Sequence, residues 1–480
     1  MNLDDDQTSA SLSSTSTVLL YGIGISGIAV GDAFHRRGIH VVAVDDSDDQ
    51  QLRPDERTAR QAAVLRWGTS LIVAPDHQGI ERLVQAADIV CPAPGIPEHH
   101  PVITTALLAH RPIRSEIDLA YEWEQQRPGG PRPMLAITGT DGKTTTTMMA
   151  TAMLTESGLR AVAVGNTEVP LVAEIDGDAD VFVVECSSFR LNWTEQFRAV
   201  ASVWLNLAPD HLNWHRSLEH YEASKARLWR HCRPTDVAVG NTDDPTVMHY
   251  LRPVHAIQRT FGSVDGDYRV TQSPTAGPML TGPMGAIVPV NEMSRSLPHD
   301  ITNALAAASI VLESGLATVY QVAAALRTFQ HPPHRIEPVG TRNQVAWFND
   351  SKATSPHAAL TAIRSFDRIV LLVGGQSKNL DLSELATEHA RIVAVVGLGE
   401  TGPTLAAMFD QYCPTTVVSD MAQAVEAADR IARPGDTVLL SPACTSFDWY
   451  GSAGYPARGN EFKSLVRQLI GSTSDAEDRP

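Results

Sequence analysis

No stretch of this chain approaches the roughly 18 consecutive apolar residues that a spanning helix needs, so membrane insertion is not expected. Cysteine is scarce. Cys91, Cys186, Cys232, Cys413 and Cys444 are odd in number, far apart and without a C-x-x-C pair. That pattern supports neither a disulfide framework nor a thiolate zinc site, and it fits a reducing, cytoplasmic setting. Basic residues are also in deficit: 38 Lys and Arg against 55 Asp and Glu leave a net charge of −17. Nucleic-acid binding needs clustered Lys and Arg, so nucleic acid is not an expected partner. Anionic small molecules stay open, because loops rather than net charge bind phosphate. The N-terminus, MNLDDDQTSASLSSTST, lacks the basic and apolar regions of a signal peptide. Residues 1–16 are expected to be a disordered lead-in, and 471–480 a disordered tail.

What is present is an ordinary globular composition, 43% hydrophobic and 19% charged over 480 residues, too long for a single core. Short apolar runs at 18–21, 40–44, 71–73 and 88–91 alternate with helical stretches, which implies a parallel α/β sheet. A second set lies at 134–138, 181–185 and 200–207, followed by alanine-rich helices at 301–313 and 319–329. A third set lies at 345–348, 368–373, 392–396 and 437–440. Composition breaks at QQRPGGPRP (125–133) and HPP (331–333) separate the three.

Two glycine turns follow strands. Gly139-Thr-Asp-Gly-Lys143-Thr144-Thr145 comes directly after the run 134–138, where backbone N–H groups, a helix N-terminus and a lysine would cradle phosphates. A full phosphate-loop pattern would carry a further glycine where Ala136 stands; the competing reading is a plain turn with an exposed lysine. Gly22-Ile-Gly24-Ile-Ser26-Gly27, with Asp45 ending the next strand, fits a dinucleotide, any nucleotide diphosphate, or only a tight strand–helix junction. Glu185 at a strand end suits Mg²⁺ or is simply a satisfied polar strand end, and His211, in the loop after the next strand, either faces the same site or is a hydrogen-bonded structural histidine. Lys225, in YEASKA, reads by itself as a solvated helix lysine. The polar loops 349–356 (with Asp350, Lys352 and Thr354), 374–378 (with Lys378) and 441–448 (with Ser446) each follow a strand, so they are expected to converge on one crevice.

In this order, GTDGKTT, ECSSF, NLAPDH, YEASKA, NTDDP, PHRIE, NDSKAT and SPACTSFD resemble the Mur ligase family from about residue 18 to about 468. NDSKAT, GGQSK, SPACTS and RGNEF resemble the branch that adds D-glutamate; L-glutamate or another amino acid is the alternative. The resemblance implies three α/β domains: Rossmann-like over 17–125, binding the UDP end of UDP-N-acetylmuramoyl-L-alanine; P-loop ATPase-like with a mainly parallel sheet over 132–330, binding ATP; and Rossmann-like over 333–470, binding the amino acid. It also implies a cytoplasmic monomer.

Residue roles are implied too. Gly24, Ser26, Gly27, Asp45, Asp46, Pro94, Gly95 and Asn166 would meet the UDP substrate. Gly139, Asp141, Gly142, Lys143, Thr144, Thr145, Asn303, Arg335 and Asp350 would meet ATP. Thr144, Glu185, His211 and Lys225 would serve two Mg²⁺ sites, with Lys225 carrying a CO₂-derived carbamate, and Lys143, His211 and Lys225 would be catalytic. Lys352, Thr354, Lys378, Ser446 and Tyr455 would grip the amino acid. The chain departs from the family at Ala93 (usually Ser), Asp141 (usually Asn) and Asp300 (usually Asn), and in an apparently longer loop at 451–455. An oxidoreductase reading of GIGISG leaves the second glycine turn unexplained, and a catalytically silent nucleotide-binding regulator would bind ATP without turnover.

Overall fold

The computed structural model describes residues 12–167, 169–377 and 380–477. They gather into two compact units: the chain up to Ser296 with Asp300–Phe329, and Leu297–His299 with the chain from Gln330 onward. The fold is mixed α/β and built on parallel sheets.

In the first unit, Val- and Leu-rich runs buried on both faces become parallel strands. β1 (Thr17–Tyr21), β2 (His40–Asp45), β3 (Leu71–Val73) and β4 (Ile89–Pro92) form a sheet of order β3-β2-β1-β4. β5 (Met134–Thr138), β6 (Ala161–Gly165), β7 (Val181–Glu185), β8 (Ala201–Trp204), β9 (Val237–Asn241) and β10 (Ile257–Phe261) form a second, of order β10-β9-β8-β5-β7-β6. Each glycine turn follows an internal strand, β1 or β5, at the point where the winding changes direction, which is where crevices open at strand C-termini. Ile137 lies opposite Glu185 and Thr138 opposite Trp204. The loops leaving β5, β7 and β8 therefore emerge level with one another.

One buried cluster includes Val18, Leu20 and Phe34 from the first sheet's layers and Phe182, Val184 and Trp204 from the second's. Arg36 and Arg37 both reach Asp176 at 2.9 Å. The break at 125–133 is anchored at one end. Arg132 is buried and donates to Glu124 (2.7 and 2.9 Å) and to the Ile175 and Gly177 carbonyls (2.5 and 2.9 Å). A three-stranded antiparallel sheet, β11 (Arg269–Ser273), β12 (Gly277–Gly282) and β13 (Gly285–Pro289), was not anticipated. Its strands are short and half-exposed, with Leu280 and Val288 among the few fully buried positions, so they carry no apolar run.

The second unit holds β14 (Glu337–Arg342), β15 (Val345–Asn349), β16 (Ile369–Gly374), β17 (Ile392–Leu398), β18 (Thr415–Val417) and β19 (Thr437–Leu440). Their order is β14-β15-β19-β16-β17-β18, parallel except for antiparallel β14. Two expectations about the C-terminal region are corrected. Residues 451–455 are not a loop: Gly451–Ala453 form a 3₁₀ turn, and Tyr455 sits in the first turn of the helix Gly454–Glu477. That helix also takes in most of the expected tail 471–480, of which 478–480 lie outside the described residues. Of the expected lead-in, 1–11 lie outside them as well, and Ser13–Ser16 close a turn at 2.9 Å. Among the described residues no helix is long and apolar enough to cross a membrane.

Candidate active site

Gly142 ends the β5 turn with φ +81° and precedes the helix Lys143–Glu156. A Cβ there would come within 2.5 Å of Asn303 Oδ1, so both backbone and space demand glycine. Asn206, leaving β8, shapes the turn: its Oδ1 accepts from the Thr140 and Asp141 amides at 3.0 and 2.9 Å. Lys143 Nζ donates back to the Gly139 and Thr140 carbonyls at 2.9 and 2.7 Å. Thr145 is buried beneath the turn, and Thr146 donates to Asn303 Oδ1 at 3.2 Å.

Lys225 corrects its solvent-facing reading. It is 1% exposed, on the inner face of Leu218–Ala226, with Nζ 4.5 Å from the Tyr221 ring and donating to the same Gly139 carbonyl at 2.6 Å. Burial first, then the charge of Lys143, hold its amine well below the usual lysine range, against the opposing pull of Asp210 and Asp141. Tyr221, a residue the sequence did not single out, ties the group together. Its hydroxyl lies 3.0 Å from Thr140 Oγ1 and its ring 6.3 Å from that of His211. His211 takes φ +56°, stacks edge-on to Phe189 at 4.7 Å and is partly exposed.

Glu185 ends β7 beside this turn and is almost fully buried. Oε1 accepts from Asn166 Nδ2 at 3.0 Å, while Oε2 has no hydrogen-bond partner. A buried, unpartnered carboxylate oxygen level with a phosphate-type turn suits Mg²⁺, which takes one or two carboxylates and completes its shell with phosphates and water. Among the described residues no cluster of three or more His, Cys, Asp or Glu side chains is gathered in metal-holding geometry. Thr144, second in the helix, is the hydroxyl nearest in sequence to that role. Asp300, where the family resemblance expects Asn, is fully buried and paired with Arg295 at 2.6 and 2.8 Å.

At the first sheet, Asp45 serves the backbone: its oxygens accept from the Ile23 and Ser47 amides at 2.7 and 2.8 Å. Asp46 accepts from Tyr21 at 2.6 Å and lies 3.0 Å from His100. An open cleft beside Gly24 is lined by Ile23, Asp45, Ser47, Leu52 and Arg60. Ser26 and Gly27 line a separate chamber with Pro94 and Arg190, where Arg190 donates to Ser26 Oγ at 3.1 Å and to Glu116 at 2.5 Å. The Pro94-Gly95 loop is stitched to the His211 loop. Trp214 Nε1 donates to Pro94 O at 3.0 Å, and Glu98 meets His215 at 3.3 Å and Arg216 at 3.1 Å. Sequence reasoning missed Glu98, Arg190 and Trp214, none of which stands in a glycine turn or polar strand end.

In the second unit, Asp350 is engaged internally, accepting from the Ile336 amide at 3.1 Å and Ser441 Oγ at 2.7 Å. Lys352 Nζ lies 5.5 Å from the Tyr455 ring, which in turn contacts His334. Ser446 is buried, with no partner for its hydroxyl. Thr354 follows in the same loop as Lys352, and Arg335 lies just before β14. Lys378 lies outside the described residues. Arg458, which opens the RGNEF motif but was assigned no role by it, joins two loops: it donates to Ser351 Oγ and O (3.0 and 2.8 Å), Cys444 O (3.1 Å) and Thr445 O (3.2 Å).

Residues 137–311 match the Mur ligase middle domain, and 334–444 the Mur ligase glutamate ligase domain. The UDP-N-acetylmuramoylalanine–D-glutamate ligase of Frankia casuarinae is 36% identical over 95% of this chain and 94% of its own. The enzyme of the same name from Streptomyces coelicolor is 34% identical over 94% and 98%. The fold is similar to that of a UDP-N-acetylmuramate–alanine ligase of Thermotoga maritima, with a TM-score of 0.57 at 17% identity over 95% of this chain and 100% of the other. The chain belongs to the Mur ligase family. Within it, both of these relatives carry the name of the D-glutamate-adding enzyme.

Proposed function

We propose that this protein is an ATP-dependent ligase that joins D-glutamate to UDP-N-acetylmuramoyl-L-alanine in peptidoglycan precursor synthesis, acting as a cytoplasmic monomer. The single observation that carries the chemistry is the pair of amines on one carbonyl. Lys143 and Lys225 both donate to Gly139 O, beside a buried carboxylate oxygen of Glu185 that lacks a partner. The relatives' names supply the substrates. The reading assigns the UDP end to 17–125, ATP to 132–330 and the amino acid to 333–470.

A carboxylate resists attack by an amine because its charge and resonance make it a poor electrophile. Moving the γ-phosphoryl group of ATP onto it forms an acyl C–O–P linkage, with ADP leaving. The amine of D-glutamate then attacks the acyl carbon, and phosphate departs as the amide forms. Such chemistry needs positioning and charge neutralisation rather than a protein nucleophile. Lys143 and the backbone amides that open the helix Lys143–Glu156 hold the phosphates. Thr144 and Glu185 would hold one Mg²⁺, which supplies charge neutralisation on the phosphoryl oxygens. His211 and Lys225 would serve a second. Burial and the charge of Lys143 favour the neutral amine of Lys225, which in this reading adds to CO₂: an N–C bond forms, a proton leaves, and the carbamate offers the oxygen donors that a hard cation prefers.

Gly24, Ser26, Gly27, Asp45, Asp46, Pro94, Gly95 and Asn166 meet the UDP substrate in this reading. Asn303, Arg335 and Asp350 serve ATP; Lys352, Thr354, Lys378, Ser446 and Tyr455 serve glutamate.

The test is phosphate release with ATP, Mg²⁺ and UDP-N-acetylmuramoyl-L-alanine, adding D- or L-glutamate separately. Release with D-glutamate and a ligated product by mass is expected. Release only with L-glutamate overturns the named amino acid but keeps the mechanism.

A further inference from the structure

Arg458 presents an electrostatic imbalance. Its guanidinium is 2% exposed, yet no carboxylate lies within ion-pairing distance of it among the described residues. All its bonds go to neutral oxygens: a hydroxyl and three carbonyls. Carbonyl acceptors recover part of the hydration energy lost on burial but not the missing counter-charge. The strain shows in the group itself, since burial pulls its pKa down to about 10, against a weak opposing influence from Tyr450, Cys444, Asp448 and Asp350.

The acceptors are not scattered. Ser351 belongs to the loop after β15, and Cys444 and Thr445 to the loop after β19. The loop after β16 is held against the same group. Gln376 and Thr445 exchange backbone bonds at 2.9 and 3.1 Å, and a Cβ on Gly375 would strike Thr445 O and lie 3.1 Å from Arg458 Nη1. Beside this cluster Ser446 is also 2% exposed, with an unpartnered hydroxyl. Ser351 Oγ further donates to Tyr455 O at 2.8 Å, in the first turn of the 24-residue helix that carries Arg458. The N-terminus of that helix adds positive potential on the same side.

We infer that Arg458 is the positioning residue of the amino-acid subsite: it ties the loops 349–356, 374–377 and 441–446 into one surface, and its unbalanced charge makes that surface select an amino acid with an anionic side chain. The inference rests on the functional reading above and adds the determinant of substrate charge. Because the guanidinium is covered by its own loops, it acts through them and through its field rather than by touching substrate.

The experiment uses the full chain with saturating MgATP and UDP-N-acetylmuramoyl-L-alanine. In Arg458→Gln, KM for D-glutamate rises about tenfold or more, the size expected when a bond set to a charged group is lost, while KM for ATP stays within about twofold. Arg458→Lys, which keeps the charge with fewer donors, falls between. An unchanged KM for D-glutamate in Arg458→Gln, or equal rises in all three KM values, overturns the inference. If Arg458→Gln does not unfold cooperatively, Arg458→Lys decides by the same split, with a rise of about threefold expected for D-glutamate alone. A second readout is independent of turnover, so it stands even if the wild type releases no phosphate with D-glutamate and the functional reading fails. Glutarate raises the unfolding temperature of the wild type but not of the substituted protein, and neutral glutaramide shifts neither. Equal shifts in both proteins, or none in the wild type, overturn the inference.

Discussion

Lys225 in the first unit and Arg458 in the second are both buried cations, and neither has a carboxylate partner among the described residues. Their surroundings differ. Lys225 has one carbonyl and a neighbouring positive charge, Lys143, whereas Arg458 has four oxygens on two loops. An ammonium so placed gives up its proton at modest cost, while a guanidinium keeps it. The first setting favours the neutral amine, and the second keeps a fixed charge. A third cation, Arg295, is balanced in the ordinary way by Asp300.

The comparison can be broken in four ways. Lys143→Ala removes both the phosphate-holding amine and the charge that, after burial, most depresses Lys225; turnover should fall by about 10³, measured as phosphate release. Asp300→Ala takes away Arg295's carboxylate and should lower stability by about 3 kcal/mol in denaturant titrations. Lys225→Ala should lower turnover about 10²-fold, with partial recovery in formate or acetate if a carboxylate-like group normally stands there; no recovery would count against the carbamate. The smallest effect is on pH. The folded pKa of Lys225 lies below its unfolded value, so the unfolded chain binds more protons in that window and stability climbs as pH rises toward 10.5. Lys225→Met should flatten that climb by up to about 1.4 kcal/mol per pH unit, read from unfolding midpoints at pH 7.5 and 9.5.

The parallel sheets and both glycine turns were legible because their signals are local: an apolar run, then glycine, then a helical stretch. The same locality brought Lys143, Glu185 and Asn166 to one place, since each ends or follows a neighbouring strand. Lys225 was misread because helix Leu218–Ala226 has no strong apolar stripe; its buried face is Tyr221, Ser224 and Lys225, which sequence cannot tell from a solvated one. Arg458 stood in the motif RGNEF but received no role, because part of its meaning lies in oxygens 107 positions away, at Ser351. What Asp45 does for the backbone was not legible, because its bonds to the Ile23 and Ser47 amides depend on how the turn folds back.

The bond from Trp214 to Pro94 makes an optical probe of this molecule. Indole emission depends on what its N–H touches, and this indole is bonded to the loop proposed to receive the UDP substrate while standing three residues after His211. Trp214 is one of eight tryptophans, so the difference in emission between this protein and its Trp214→Phe variant registers movement of either loop, without an attached dye.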